Sequence, residues 1–361
     1  MEKQNNRLFL LFALVFTLLT AACWLHRPVS ESLTERRKLA QRPSLTWEGF
    51  YSGRFASDFE SYTQDQFPLR ESFRTLKALF QIKVLGRAEN NNIYLSKEGY
   101  LAQPEYPEDL SSADYAARKF TQIRTRYLND SNSVYLSVIP DKGCYLDGIP
   151  KMDYEAFLAR LREGTPFASY LDLFSVLKLE DFYRTDTHWR QEALLPAAQA
   201  LAQGMGLEIG SDFAVRDTSI SFKGVYSGQS ALPVPGESMY YVTSPAIENA
   251  TVWDGENSKD IGVYDFEKLQ SRDPYEFYLS GSLSLVTLKN ESASTNKRLI
   301  LFRDSFGSSI APYFLDCYRE ITLVDIRYLP VSRLGRLLDF ENADVLFLYS
   351  TMVLNHSETL K

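Results

Sequence analysis

Histidine and cysteine are the scarce residues of this 361-residue chain, at three each. Their positions, Cys23, Cys144, Cys317, His26, His188 and His356, show no spacing that fits a zinc site, and no metal or cofactor is expected. Cys23 falls inside an apolar run, which leaves Cys144 and Cys317 as the one pair an oxidising compartment could join. Basic charge is also short: 39 Lys and Arg against 46 Asp and Glu give a net charge of −7, which argues against a nucleic-acid partner. Repeats and low-complexity tracts are missing too. What remains is ordinary globular material, 45% hydrophobic and 24% charged, enough for one large domain or two medium ones.

One long run is not globular. Leu8 to Leu25 carries no charge over 18 residues, with Lys3 and Arg7 before it and His26-Arg27 after it. That length spans a bilayer, and the basic start favours an inside N-terminus. Residues 1–27 are therefore expected to be an uncleaved signal anchor, with a cleaved export signal as the alternative. Thr20-Ala-Ala-Cys23 is also similar to a lipoprotein box, although Thr stands where Leu is usual. Each reading puts the remainder outside the cytoplasm, extracellular or periplasmic. Residues 1–42 hold a balance of +4, which leaves −11 for the rest.

Residues 28–49 are polar and basic and read as a membrane-proximal stalk. Phe50 to Phe80 has helical spacing in two segments, broken at Asp65-Gln-Phe-Pro68, with Asp65 as a candidate cap for the second. Asn91 to Gln103 reads as a hairpin turning at Gly99. Then helices (112–127, 153–161, about 191–205, 332–338) alternate with apolar strands (134–139, 168–173, 299–302, 320–326, 344–349). That alternation predicts an α/β domain over 50–361 with a mainly parallel sheet. Residues 208–295 lack a helical period and read as a β-rich insertion with strands at 220–222, 239–242, 276–279 and 283–287.

The organising stretch is Arg298 to Ser309. Its apolar strand stops at Asp304-Ser305 and turns into a helix, which would set the Ser305 hydroxyl at the mouth of a sheet. Ser and Asp are also common helix caps, so a capping role stands beside a nucleophilic one. His26 abuts the apolar run and His356 lies near the C-terminal residue, so His188 is the candidate imidazole base. Asp186, two residues earlier on an extended segment, could reach the ring; a local cap with a hydrogen-bonded histidine fits as well. Taken together, Asp186 orienting, His188 as base and Ser305 attacking form a constellation no member makes alone.

Thr185-Asp-Thr-His-Trp189 with Arg303-Asp-Ser-Phe-Gly307 resembles the DHHW protein family and the SGNH-hydrolase-like alginate O-acetylation proteins, the AlgJ/AlgX group. The likeness extends over roughly residues 50–350 through Asp65-Gln-Phe-Pro-Leu-Arg70, Pro140-Asp-Lys142 and Val324-Asp-Ile-Arg-Tyr328. It implies an SGNH-like three-layer α/β/α fold, Ser305 as nucleophile, and Asp186 and His188 as its Asp-x-His. It also implies acetyl transfer to hydroxyls of a cell-surface polysaccharide, with a membrane-bound O-acyltransferase as donor partner. Position 187 is Thr where the DHHW name implies His. The Gly and Asn oxyanion donors of ordinary SGNH enzymes have no clear match; Phe306, Arg327 and Tyr349 are candidates for oxyanion or substrate contact, and Arg327 fits a surface ion pair equally well. Lys142 reads as a turn residue.

The expected function is therefore serine-dependent acyl transfer to or from a cell-surface polysaccharide. Transfer and hydrolysis differ only in the acceptor. A non-catalytic glycan-binding or assembly protein on the same fold is the rival, with Tyr226, Tyr240, Tyr241 and Trp253 as stacking candidates.

Overall fold

The strands at the centre of the large sheet are mostly apolar, as burial on both faces demands. The computed structural model describes residues 2–361 and contains eight of its strands in one sheet. From residue 134 onward the strands, in chain order, are β1 (Val134–Ile139), β2 (Ser169–Tyr170), β3 (Ala214–Phe222), β4 (Glu237–Thr243), β5 (Thr251–Asp254), β6 (Lys259–Ile261), β7 (Leu285–Lys289), β8 (Arg298–Arg303), β9 (Glu320–Val324) and β10 (Ala343–Ser350). The large sheet has the order β6-β5-β7-β9-β8-β10-β1-β2, and β3 pairs with β4 as a separate antiparallel ribbon.

Five of the eight strands run parallel: β8 pairs β9 and β10, β10 pairs β1, and β1 pairs β2. The other three are antiparallel and come from residues 251–289. The sheet is therefore mixed. Antiparallel β5 is exposed, buried, exposed, buried along its length, because one of its faces meets solvent, whereas β10 is buried at every residue.

Side chains of β8 alternate between two cores. Leu299 and Leu301 join Ile321, Leu323, Leu346 and the Leu195–Gly204 helix; Ile300 and Phe302 join Val345, Phe347 and the Leu110–Tyr127 and Tyr154–Gly164 helices. Helices thus cover both faces. Phe120 stacks on Phe347 at 4.4 Å and Phe302 on Phe347 at 5.0 Å. Truncating such a buried ring to Ala costs about 3–5 kcal/mol.

The chain divides into two units: residues up to Asn91 with Ser227–Pro233, and Asn92–Tyr226 with Val234–Lys361. In the first, the helix Glu2–Leu25 is long and apolar enough to cross a membrane over Asn6–Cys23, and none of that window is buried. Anchors and export signals share this character. Residues 28–49 hold a short ribbon, Glu31–Ser32 with Arg37–Lys38, and the start of the helix Trp47–Tyr51. Asp65 does not cap the next helix as expected. It closes the helix Arg54–Asp65 and accepts two bonds from Arg37, at 2.8 and 2.5 Å, and one from the Ala40 N–H. Leu69, in the left-handed region, starts the helix Arg70–Leu79 instead.

In the second unit the hairpin forms, Ile93–Leu95 against Leu101–Ala102, with Gly99 at φ +85°. Three other expectations change. Residues 276–279 are no strand: Asp273 caps a 3-10 turn at Pro274–Phe277. Residues 332–338 are likewise a 3-10 turn, over Val331–Arg336, and the 168–173 strand shrinks to Ser169–Tyr170. Cys144 and Cys317 are free thiols.

Candidate active site

The site forms where β8 ends. Arg303 is its last residue, Asp304 and Ser305 make the turn, and Gly307–Ile310 is one helical turn. The turn is held by the Asp304 carboxylate, which accepts the Phe306 N–H at 3.0 Å and, across to the end of β10, the Ser350 N–H at 2.8 Å. Asp304 is fully buried, while the Ser305 side chain stays half-buried at the surface of the turn.

The histidine arrives on a loop, not on the extended segment expected. Phe182 and Trp189 bridge in antiparallel fashion, and the Tyr183 N–H donates to the His188 carbonyl at 3.0 Å, closing the loop between them. Inside it Asp186 Oδ1 accepts the His188 N–H at 3.1 Å and lies 2.7 Å from His188 Nδ1. One carboxylate oxygen therefore fixes both main chain and ring. Asp186 Oδ2 accepts the Val225 N–H at 2.8 Å, and the carboxylate is fully buried. His188 Nε2 is 2.8 Å from Ser305 Oγ. Aspartate, imidazole and hydroxyl form one continuous chain of hydrogen bonds.

The ring is also clamped by packing. Tyr275 lies flat on it, centroids 3.7 Å apart at 11°, and Phe306 tilts against it at 4.7 Å. The Tyr275 hydroxyl is 2.8 Å from Ser309 Oγ, which also accepts Trp189 Nε1–H at 2.8 Å. Burial pushes the Tyr275 phenol well above its usual range, so it stays protonated.

Three residues singled out less firmly behave differently. The Phe306 N–H is engaged by Asp304, and its ring serves the histidine. Arg327 forms a forked ion pair with Asp325, Nη2–Oδ2 2.6 Å and Nε–Oδ1 2.9 Å. Tyr349 is fully buried on β10, its hydroxyl without a hydrogen-bond partner, stacked on Phe120. Asp325 also faces the buried Arg303 guanidinium at 3.8 Å, so these groups belong to an ionic cluster beneath the strand ends.

The residues that hold the loop carry little sequence signal. Glu237, at the start of β4, accepts the Arg184 N–H at 2.9 Å, the Thr185 N–H at 2.8 Å and the Thr185 hydroxyl at 2.6 Å. Gly224 packs so closely that a Cβ there would lie 2.3 Å from Asp186 Cα. Lys142, read as a turn residue, is buried with its ammonium on the loop's carbonyls. Of the stacking candidates, Tyr226 is buried, Tyr241 packs among Tyr264, Phe266 and Phe277, Tyr240 is half-buried, and Trp253 is 44% exposed. Among the described residues no group of three or more His, Cys, Asp or Glu could hold a metal ion.

No family model and no curated protein matches the sequence. Solved structures do match in fold. A DHHW family protein from Eubacterium siraeum is similar over 75% of this chain and 94% of its own, at 18% identity and a TM-score of 0.56. Bacillus cereus PatB1, determined with a sulfonyl adduct, is similar over 73% of this chain and 95% of its own, at 16% identity and a TM-score of 0.56. The O-acetyltransferase domain of Pseudomonas putida AlgJ is similar over 73% of this chain and 92% of its own, at 15% identity, but its TM-score of 0.46 carries no weight. The shared property is the fold: the DHHW likeness read from the two motifs reappears in the backbone.

Proposed function

We propose that Ser305, His188 and Asp186 are a catalytic triad that takes an acyl group, most simply acetyl, and passes it to or from a hydroxyl of a cell-surface polysaccharide. The observation that carries this reading is the chain of 2.7 and 2.8 Å contacts from Asp186 through His188 to Ser305 Oγ. Ser305 Oγ attacks the acyl carbonyl as His188 Nε2 takes its proton. The tetrahedral intermediate collapses, the donor's leaving group takes that proton, and the acyl-enzyme remains. The acceptor hydroxyl then gives its proton to His188, attacks the ester, and Ser305 is restored. With the Phe306 N–H engaged by Asp304, the backbone donor beside the hydroxyl for the oxyanion is the Ser305 N–H.

PatB1 supports the reading, since a sulfonyl adduct is what a sulfonyl reagent leaves on a nucleophile. The apolar N-terminal helix supports an ectodomain held outside the cytoplasm, where a membrane-bound O-acyltransferase would supply the acyl group. The test is labelling of the full-length protein by a sulfonyl fluoride, located by mass spectrometry. One adduct is expected on Ser305, abolished in Ser305→Ala and strongly slowed in His188→Ala. An unlabelled wild type, or equal labelling of Ser305→Ala, would falsify the triad and leave the glycan-binding alternative.

A further inference from the structure

The loop that presents Asp186 and His188 rests on one buried cation. Lys142 begins the 3-10 turn Lys142–Tyr145 just beyond β1 and is 2% exposed. Its Nζ lies 2.7 Å from the Tyr183 carbonyl oxygen, 3.2 Å from that of Arg184 and 2.6 Å from that of Asp186. An ammonium has three N–H donors, and all three are matched. The rings of Tyr226 and Tyr100 sit beside it, 5.1 and 5.9 Å away. Glu237 holds the amides of the same loop, so the segment is gripped by an anion on its N–H groups and a cation on its carbonyls. Burying a charge against neutral carbonyls is expensive, and an apolar side chain of equal length would serve mere packing better. The cost falls on the loop that carries the acid and the base.

We propose that Lys142 is a positioning residue: its ammonium, holding the carbonyls of Tyr183, Arg184 and Asp186, keeps Asp186 and His188 in line with Ser305, and acylation fails once the ammonium loses its proton. The proposal rests on the triad reading above. A neutral amine has two N–H donors and a lone pair, so one carbonyl loses its donor and faces a lone pair instead.

Burial pulls Lys142 down to about 7, opposed by the charges that face it, Asp186, Glu237 and Asp141. The folded value is thus below the ordinary 10.5, and between those values the unfolded chain binds the extra proton. Through that window this group makes the fold more stable as pH rises. A fall in reactivity there is then not a loss of stability contributed by this group.

The experiment follows the rate of sulfonyl fluoride labelling at Ser305 against pH, in full-length protein with circular dichroism as the folding control. The wild-type rate should rise with pH and then fall on the alkaline side of neutrality. Lys142→Met should label ~10²-fold more slowly at neutral pH, the scale of a small misplacement of reacting groups, and lack the alkaline fall. Lys142→Ala should be equally slow and recover in part with added ethylammonium. Wild-type rate and pH profile in folded Lys142→Met would overturn the proposal, as would a folded Lys142→Ala that the amine does not rescue. Should neither variant fold, the wild-type profile decides alone, and a plateau without an alkaline fall rejects it. Failure of the wild type to label at any pH removes the triad and this proposal together.

Discussion

Asp186 does two jobs with two oxygens, and a substitution that keeps its shape separates them. In Asp186→Asn one of those positions becomes an NH₂ group, which faces either the Val225 N–H or the His188 Nδ1–H that the carboxylate now accepts. An NH₂ toward the ring holds the imidazole in the wrong tautomer, and one toward Val225 sets two donors face to face and shifts the loop, so labelling at Ser305 should fall ~10²–10⁴-fold while the variant stays folded. Retention of more than a tenth of the wild-type rate would remove Asp186 from the triad. Gly224→Ala tests the same spot sterically: a Cβ there would lie 2.3 Å from Asp186 Cα, so the loop must shift and labelling should drop ~10²-fold. A wild-type labelling rate in that variant would mean that the loop gives way without disturbing the ring. At this scale the sequence was readable only where residue type is informative. Histidine is rare and His188 has an aspartate two residues away, whereas Lys142, Glu237, Gly224 and Tyr275 act through main-chain or ring contacts with a loop tens of residues distant.

Elements buried on both faces were legible for a plain reason: β1, β8, β9 and β10 are short apolar runs bounded by turns. The 208–295 stretch is harder to read, because β5 and β7 alternate between buried and more exposed positions, and pairing partners cannot be read from alternation. β5 to β7 extend the main sheet and only β3 and β4 stand apart as a ribbon. Residues 276–279 look β-like in composition, yet Asp273 and Pro274 set a 3-10 turn that delivers Tyr275 to the histidine. The ribbon has its own role, since Glu237 at the start of β4 accepts from both Arg184 and Thr185. In Glu237→Gln an NH₂ group must confront either the exposed Arg184 N–H or the part-buried Thr185 N–H and hydroxyl, leaving a donor without its carboxylate acceptor. Stability should fall by about 1–3 kcal/mol, measured by urea unfolding, and Ser305 labelling should slow. An unchanged urea midpoint would show that the ribbon merely lies alongside the loop.

The larger unit also carries a pair of buried acids that the sequence does not connect, 36 residues apart in the chain. Burial first and Asp141 second raise Glu105 to about 7, and burial raises Asp141 as well. Asp141 Oδ2 accepts the Tyr154 hydroxyl at 2.7 Å and the Thr351 hydroxyl at 3.1 Å, while exposed His356 comes within 3.5 Å of Glu105. The pair thereby meets the end of β1, the Tyr154–Gly164 helix and the helical turn after β10. Glu105 has a folded value above its ordinary 4.5, so between 4.5 and about 7 the fold binds a proton the unfolded chain does not. Its contribution is fully present below 4.5 and is lost as pH rises through 7, with a slope of up to about 1.4 kcal/mol per pH unit. Asp65 runs the other way: Arg37 holds it at about 2, so its contribution is present above 3.8 and lost as pH falls through 2. The two windows do not overlap, and a single variant can isolate the first. Glu105→Gln carries no proton to lose, so its stability should be flatter than wild type from pH 4.5 to 7 and higher at the neutral end. Urea midpoints taken across that window measure this directly, and parallel curves for variant and wild type would mean that Glu105 is ionised in the fold as it is in the open chain.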